Sequence, residues 1–269
     1  MILASNIPPA WWIALPTAIA YGLTAWLGPR LALNHGQRLL LAPWIMHGLG
    51  LLWTLFAPRE GGIHFGFAPA LSVTAWLALT FYVLEQHWFP QLRMRWTLTG
   101  LGAAMVLLAA IFPGTPLHAS ASSWLPLHLA LGVASYGLFA IAVVHAWMLG
   151  RAEKNIRKAA RSTLDLPLLT LERLTFRFVS AGFALLSATL VAGWLFGEHL
   201  YGTSAWHWDH KTVFSLLAWL TFAVLLLGRR RFGWRGRTAI RMLYTGAGLL
   251  LLAYAGSRFV LEVILERAT

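Results

Sequence analysis

Eight stretches of about twenty residues, almost free of charge, follow one another along the chain, at about 9 to 28, 39 to 57, 65 to 87, 97 to 112, 123 to 149, 176 to 196, 211 to 228 and 239 to 263. A helix needs about 20 apolar residues to cross the hydrocarbon of a bilayer, so the pattern predicts eight transmembrane spans. Strands are excluded. The stretches are about twice as long as barrel strands and show no apolar/polar alternation, and in hydrocarbon a helix satisfies all its backbone hydrogen bonds within the segment. The expected fold is an all-α integral membrane protein, one polytopic membrane domain over residues 1–269. Composition points the same way: 58% of the residues are apolar and 11% are charged, against about 45–50% and about 25% in soluble domains.

The net charge of +12 would, in a soluble protein, suggest a nucleic-acid surface, but the basic residues are placed otherwise. All 21 Lys and Arg except Arg59, Lys211, Arg258 and Arg267 fall at or near the connectors after spans one, three, five and seven. Basic residues resist translocation, which puts those connectors in the cytoplasm and both termini on the external side, with no nucleic-acid partner. The connector from 150 to 175 carries Lys154, Arg157, Lys158 and Arg161 at helical spacing, a basic helix face drawn to anionic lipid headgroups. The first span has no basic residue before Arg30, so it lacks the charged start of a cleavable signal peptide and is expected to stay in place. There is no cysteine, which excludes disulfides, thiol chemistry and covalent attachment of a cofactor through sulfur.

Three places carry residues that chemistry can use. His47 lies in LLLAPWIMHGLGLLWTLFA, far from either end of its span. A polar ring near the bilayer midplane faces the bundle interior and is a functional candidate, or else a neutral imidazole hydrogen-bonded to a neighbouring helix. His128 sits about one turn inside the outer end of span five, eight residues before Tyr136, close enough to the external surface to bind something arriving from that side. The connector GEHLYGTSAWHWDHK gathers His199, Trp206, His207, Trp208, Asp209 and His210. Indole rings offer a surface to a flat conjugated ligand, imidazoles supply axial metal ligands, and Asp209 can orient an imidazole or cap span seven. His145, His87 and His35 lie near the cytoplasmic ends of helices and call for no special role. No nucleophile and base pair, carboxylate dyad, phosphate loop or zinc spacing is present, so a self-contained catalyst is not expected. Haem suits histidines and aromatics beside a membrane surface, and without cysteine it would be held non-covalently, as haem b.

On these residues the chain resembles the cytochrome c assembly family of integral membrane proteins, which includes the CcsA, CcmC and CcmF haem handlers. Its segments WHWDHKTVFSLLAWLTF, GWRGR, LLLAYAGSRFVLEVIL, LHLALGVASY and LERLTFRF look closest to the smaller YpjD and HemX-like branch. The resemblance implies that His128 is an external axial ligand of haem iron, and that Trp206, Trp208 and Asp209 form the haem platform. His47 would be the ligand of a second haem position within the membrane. The chain departs from the CcsA pattern in having no histidine after His210, so a second external imidazole would have to be His199, His207 or His210.

The expected protein is thus a haem-handling component of a bacterial plasma membrane, serving cytochrome c maturation or haem export. Its partners would be the lipid bilayer, other cytochrome c assembly proteins or apocytochrome c. Two other classes fit the same sequence: a permease-type small-solute transporter with His47 in the path, and a HemX-like regulatory scaffold that acts through the basic cytoplasmic connector.

Overall fold

The computed structural model describes residues 9–30, 33–56, 64–88, 96–116, 125–157, 168–195 and 209–264. In chain order the elements are α1 (Pro9–Leu27), a 3-10 turn (Gly28–Arg30), α2 (Leu33–Phe56), β1 (His64–Phe65), α3 (Phe67–Trp88), α4 (Trp96–Ile111), β2 (Thr115–Pro116), α5 (Leu125–Arg157), α6 (Leu168–Leu195), α7 (His210–Phe232) and α8 (Gly236–Leu251). After α8 the chain stays helical, with π turns over Leu252–Gly256 and Val260–Ile264 flanking a short α segment, Ser257–Phe259.

Every expected span is a helix, and six helices are long and apolar enough to cross a membrane: α2, α3, α5, α6, α7 and α8 with its continuation. The 16 residues of α4 are fewer than a full crossing takes, while α1 gives positions to Trp11, Trp12, Pro16 and Tyr21. The helix α6 starts two turns before the expected span. Glu172 and Arg173 end the uncharged run in the sequence, but Glu172 accepts a hydrogen bond from Arg229 at 2.6 Å, so the carboxylate is neutralised within the fold.

The described residues fall into two compact units, one drawn from Met1–Thr80 and Arg93–His118, the other from Phe81–Leu92 and Ala119–Arg267. In the first, α1 packs on α2 and α4 through Ala14, Ala18 and Tyr21, all buried. Small residues let such helices approach closely: a Cβ on Gly102 of α4 would stand 3.0 Å from Leu79 and 3.2 Å from the Tyr21 ring. The strands β1 and β2 pair antiparallel, His64 opposite Pro116 and Phe65 opposite Thr115. Just before β2, Gly114 has φ +83°, and a side chain there would stand 2.6 Å from the Phe65 carbonyl carbon, so glycine alone fits.

In the second unit α5 packs on α6 and α8, and α7 packs on the same two helices. Phe139 of α5 and Phe222 of α7 meet at the centre, stacked 3.9 Å apart with planes 10° from parallel. Glycines on the other two helices make room for them. A Cβ on Gly182 would lie 3.1 Å from Phe139, and one on Gly246 would lie 2.7 Å from Phe222. The α7–α8 turn closes on Gly233, whose φ of +65° and N–H bond to Arg229 O, with Trp234 N–H on Gly228 O, form a helix C-cap that requires a left-handed residue. The Trp234 indole then covers Gly228, where no side chain fits.

Gly246→Ala forces the Phe222 ring out of its stack and is expected to lower stability by about 1–3 kcal/mol, read as a fall in melting temperature in detergent. Gly248 has open space around it, and Gly248→Ala is expected to leave the melting temperature unchanged or raised.

Candidate functional site

His128 stands in the first turn of α5. Its ring is partly buried, within hydrogen-bonding reach of the backbone of Thr189 on α6. Its Nδ1 is buried and has no hydrogen-bond partner. Buried imidazole nitrogens are ordinarily paired, because an unmade bond in an apolar interior costs about 1–3 kcal/mol. Clearance at the same ring edge comes from Gly193 of α6, where a Cβ would lie 3.3 Å from Cε1 and 3.9 Å from Nδ1. Lys211, in the first turn of α7, is close enough to act on the ring electrostatically, and its Nζ lies 5.8 Å from the Tyr254 ring centre. Deeper on α5, Tyr136 donates to the Leu250 carbonyl at 2.8 Å. That bond falls just ahead of the π turn Leu252–Gly256, where the helix widens around Tyr254. A hydroxyl competing for a helix carbonyl loosens the α ladder, and π turns often mark functional positions.

The loop residues divide. Asp209 caps α7, its Oδ1 accepting the Thr212 N–H at 2.7 Å, which favours its role as a helix cap among the two the sequence allowed. His210 follows as the first residue of α7 and is exposed. His199, Trp206, His207 and Trp208 lie outside the described residues.

His47 belongs to a different arrangement in the first unit. It is 2% exposed, with Nδ1 3.2 Å from Tyr21 Oη and Nε2 2.9 Å from Ser72 Oγ. Both ring nitrogens are therefore engaged, and a metal would have to displace one of the two hydroxyls. Beside it Trp44 and Trp76 stack with ring centres 5.5 Å apart. Trp44 Nε1 donates to Thr80 Oγ1 and Trp76 Nε1 to the Trp44 carbonyl.

One pair of the second unit escaped the sequence analysis. His145 is fully buried, and its Nε2 lies 2.9 Å from Glu85 Oε2, itself on a side chain only 3% exposed. Phe178 sits edge-on to the imidazole at 5.6 Å. The second atom of each group, Glu85 Oε1 and His145 Nδ1, is buried without a hydrogen-bond partner. The available signal was Glu85, the single acid within span three. A carboxylate inside a membrane helix demands a partner, and a histidine is what it found.

No group of three or more His, Cys, Asp or Glu that could hold a bare metal ion exists among the described residues. A metal already held by a macrocycle needs fewer protein ligands, one or two. The donor set at His128 fits such a group: an imidazole nitrogen with no partner, a glycine in front of it and a lysine nearby.

Helices and site together define a multi-pass helical membrane protein with an imidazole site at one end of its second unit. A family model described as "Cytochrome C assembly protein" matches residues 33–265. That is most of the chain, which belongs to the cytochrome c assembly family. Inner membrane protein YpjD of Escherichia coli K12 is 33% identical over 161 residues, a match spanning 58% of this chain and 60% of YpjD. An uncharacterized 28.8 kDa protein of Azospirillum brasilense is 30% identical over 217 residues, 76% of this chain and 78% of that one. Cytochrome c biogenesis protein CcsA of Prochlorococcus marinus (strain CCMP1986 / NIES-2087 / MED4) is 27% identical over 180 residues, 66% of this chain and 54% of that protein. No solved structure matches the chain.

Removing one member of the buried His145–Glu85 pair strands the other, so Glu85→Leu and His145→Leu are each expected to cost about 3–5 kcal/mol. The double variant should recover much of that loss, because neither polar group is left behind. Melting temperatures of the three variants check this, and a double variant that melts lower than both singles contradicts it.

Proposed function

We propose that this chain binds haem b non-covalently at the outer face of a bacterial plasma membrane and serves cytochrome c assembly or haem export. On this reading the eight helices form one polytopic membrane domain with both termini outside, and the chain handles the cofactor without catalysing its attachment. The reading rests on family membership together with one structural observation, the buried Nδ1 of His128 that has no partner.

His128 is proposed as an axial ligand, with His199, His207 or His210 available as a second. Trp206 and Trp208 would cover the macrocycle. Haem supplies an iron that takes one or two imidazole ligands and a flat apolar ring that gains from aromatic contact. The chain's own residues supply the rest. Gly193 keeps the His128 ring edge clear, and Lys211 adds positive charge that favours an anionic ligand. Asp209, by capping α7, fixes where the tryptophan-bearing connector ends. His47 is proposed as a second position within the membrane, reached when Tyr21 or Ser72 gives up its bond to the ring. The partners would be other assembly proteins or apocytochrome c, a proposal drawn from relatives such as the protein named CcsA.

The test is the visible spectrum of the protein purified from haem-replete cells. The wild type is expected to carry a Soret band that His128→Ala removes or reduces at least tenfold, and Gly193→Leu is expected to reduce it as well. A wild type without haem under those conditions, or a band indifferent to His128→Ala, overturns the assignment.

A further inference from the structure

The α7–α8 hairpin carries a surface pattern unrelated to the imidazole site. On α7, Leu220, Val224, Leu227 and Arg231 are all exposed and follow one another at i, i+4, i+7 and i+11, so they line one helix face. On α8 the pattern repeats in the opposite direction. Arg237 and Arg241 lead into Tyr244 and Leu251 at i, i+4, i+7 and i+14, again all exposed. Each helix thus presents an apolar stripe that ends, at the hairpin turn, in arginine.

Two acids of the described residues lie at this end: Glu153, whose Oε1 stands 3.7 Å from where a Cβ on Gly236 would be, and Glu172. Glu172 is engaged by Arg229 at 2.6 Å and Arg235 at 3.7 Å. Among the described residues Arg231, Arg237 and Arg241 have no acidic partner. An exposed cation at the end of an exposed apolar stripe is complementary to a molecule that is itself anionic at one end and a hydrocarbon chain along the rest. A free anion would use the arginines alone and gain nothing from the apolar residues in line with them, and an acidic protein segment would not need the stripes to run in line with the charges.

We infer that the α7–α8 hairpin binds an anionic phospholipid, its acyl chains along the two stripes and its phosphate on Arg231, Arg237 and Arg241. A zwitterionic phospholipid brings an ammonium group to the same arginines and is disfavoured. Each juxtamembrane Lys or Arg close to an anionic lipid surface is worth about fivefold in binding.

The full-length protein is reconstituted into nanodiscs of equal parts phosphatidylglycerol and phosphatidylcholine, released into mild detergent, and its retained lipids are counted by native mass spectrometry. Phosphatidylglycerol is expected to exceed phosphatidylcholine by at least fivefold. Arg231→Gln, Arg237→Gln and Arg241→Gln together should abolish that preference, and the same three changes to Lys should keep most of it. Arg230 is exposed but lies about a quarter-turn off the α7 stripe, so Arg230→Gln should leave the preference intact. Equal retention of both lipids, a preference that survives the triple Gln variant, or one lost equally in Arg230→Gln overturns the inference. So does complete displacement of the lipid by millimolar inorganic phosphate, which would mark a site for the anion alone.

Discussion

A polar atom carried into the interior of a helical bundle in hydrocarbon must find its partner in the protein, because no water reaches it. Most of the polar chemistry of this chain follows that constraint. Hydroxyls turn back on the carbonyl four residues earlier, as in Thr17 on Ile13, Thr175 on Leu171, Ser187 on Phe183 and Thr189 on Leu185. Indole N–H groups reach across to neighbouring helices, Trp44 to Thr80 and Trp219 to Ser187. His47 is satisfied at both nitrogens by Tyr21 and Ser72. Against that background the atoms left without a hydrogen-bond partner stand out. Among the described residues these include Nδ1 of His128 near one end of α5, and Nδ1 of His145 further along α5 with Oε1 of Glu85 on α3.

The helices were legible because the bilayer imposes a length and a composition, and both are written directly in residue order. What escaped is what depends on partners distant in sequence. The first two turns of α6 carry Glu172 and Arg173 and look like a connector until Arg229 is placed beside Glu172. The π turns after α8 follow no local code, since the Leu250 carbonyl just ahead of them is taken by Tyr136 from another helix. The β1–β2 pair joins two-residue segments far apart in the chain, and in advance it offers only Gly114.

The site was legible in part. Histidines within apolar runs could be singled out from sequence, yet their environments could not. His47 and His128 looked alike as intramembrane or near-interfacial rings, and the fold separates them into one that is saturated and one that is not. His145 was passed over as a ring near a helix end, whereas burial and a carboxylate partner make it part of the interior. Asp209 turned out to do the local work its position before α7 suggests. Packing explains how these sites are held. The Phe139–Phe222 stack, fitted against Gly182 and Gly246, fixes the helices of the second unit against one another, and with them the spacing of α5, α6 and α7 around His128.

The central claim is that the free imidazole nitrogen of His128 is a ligand position. It is tested most directly by removing the ring and returning it from solution, with His128→Gly purified from haem-replete cells and titrated with imidazole. The account predicts a Soret band that is weak without imidazole and recovers toward the wild-type position as imidazole fills the space left by the side chain. A full band in His128→Gly before any imidazole is added would contradict it.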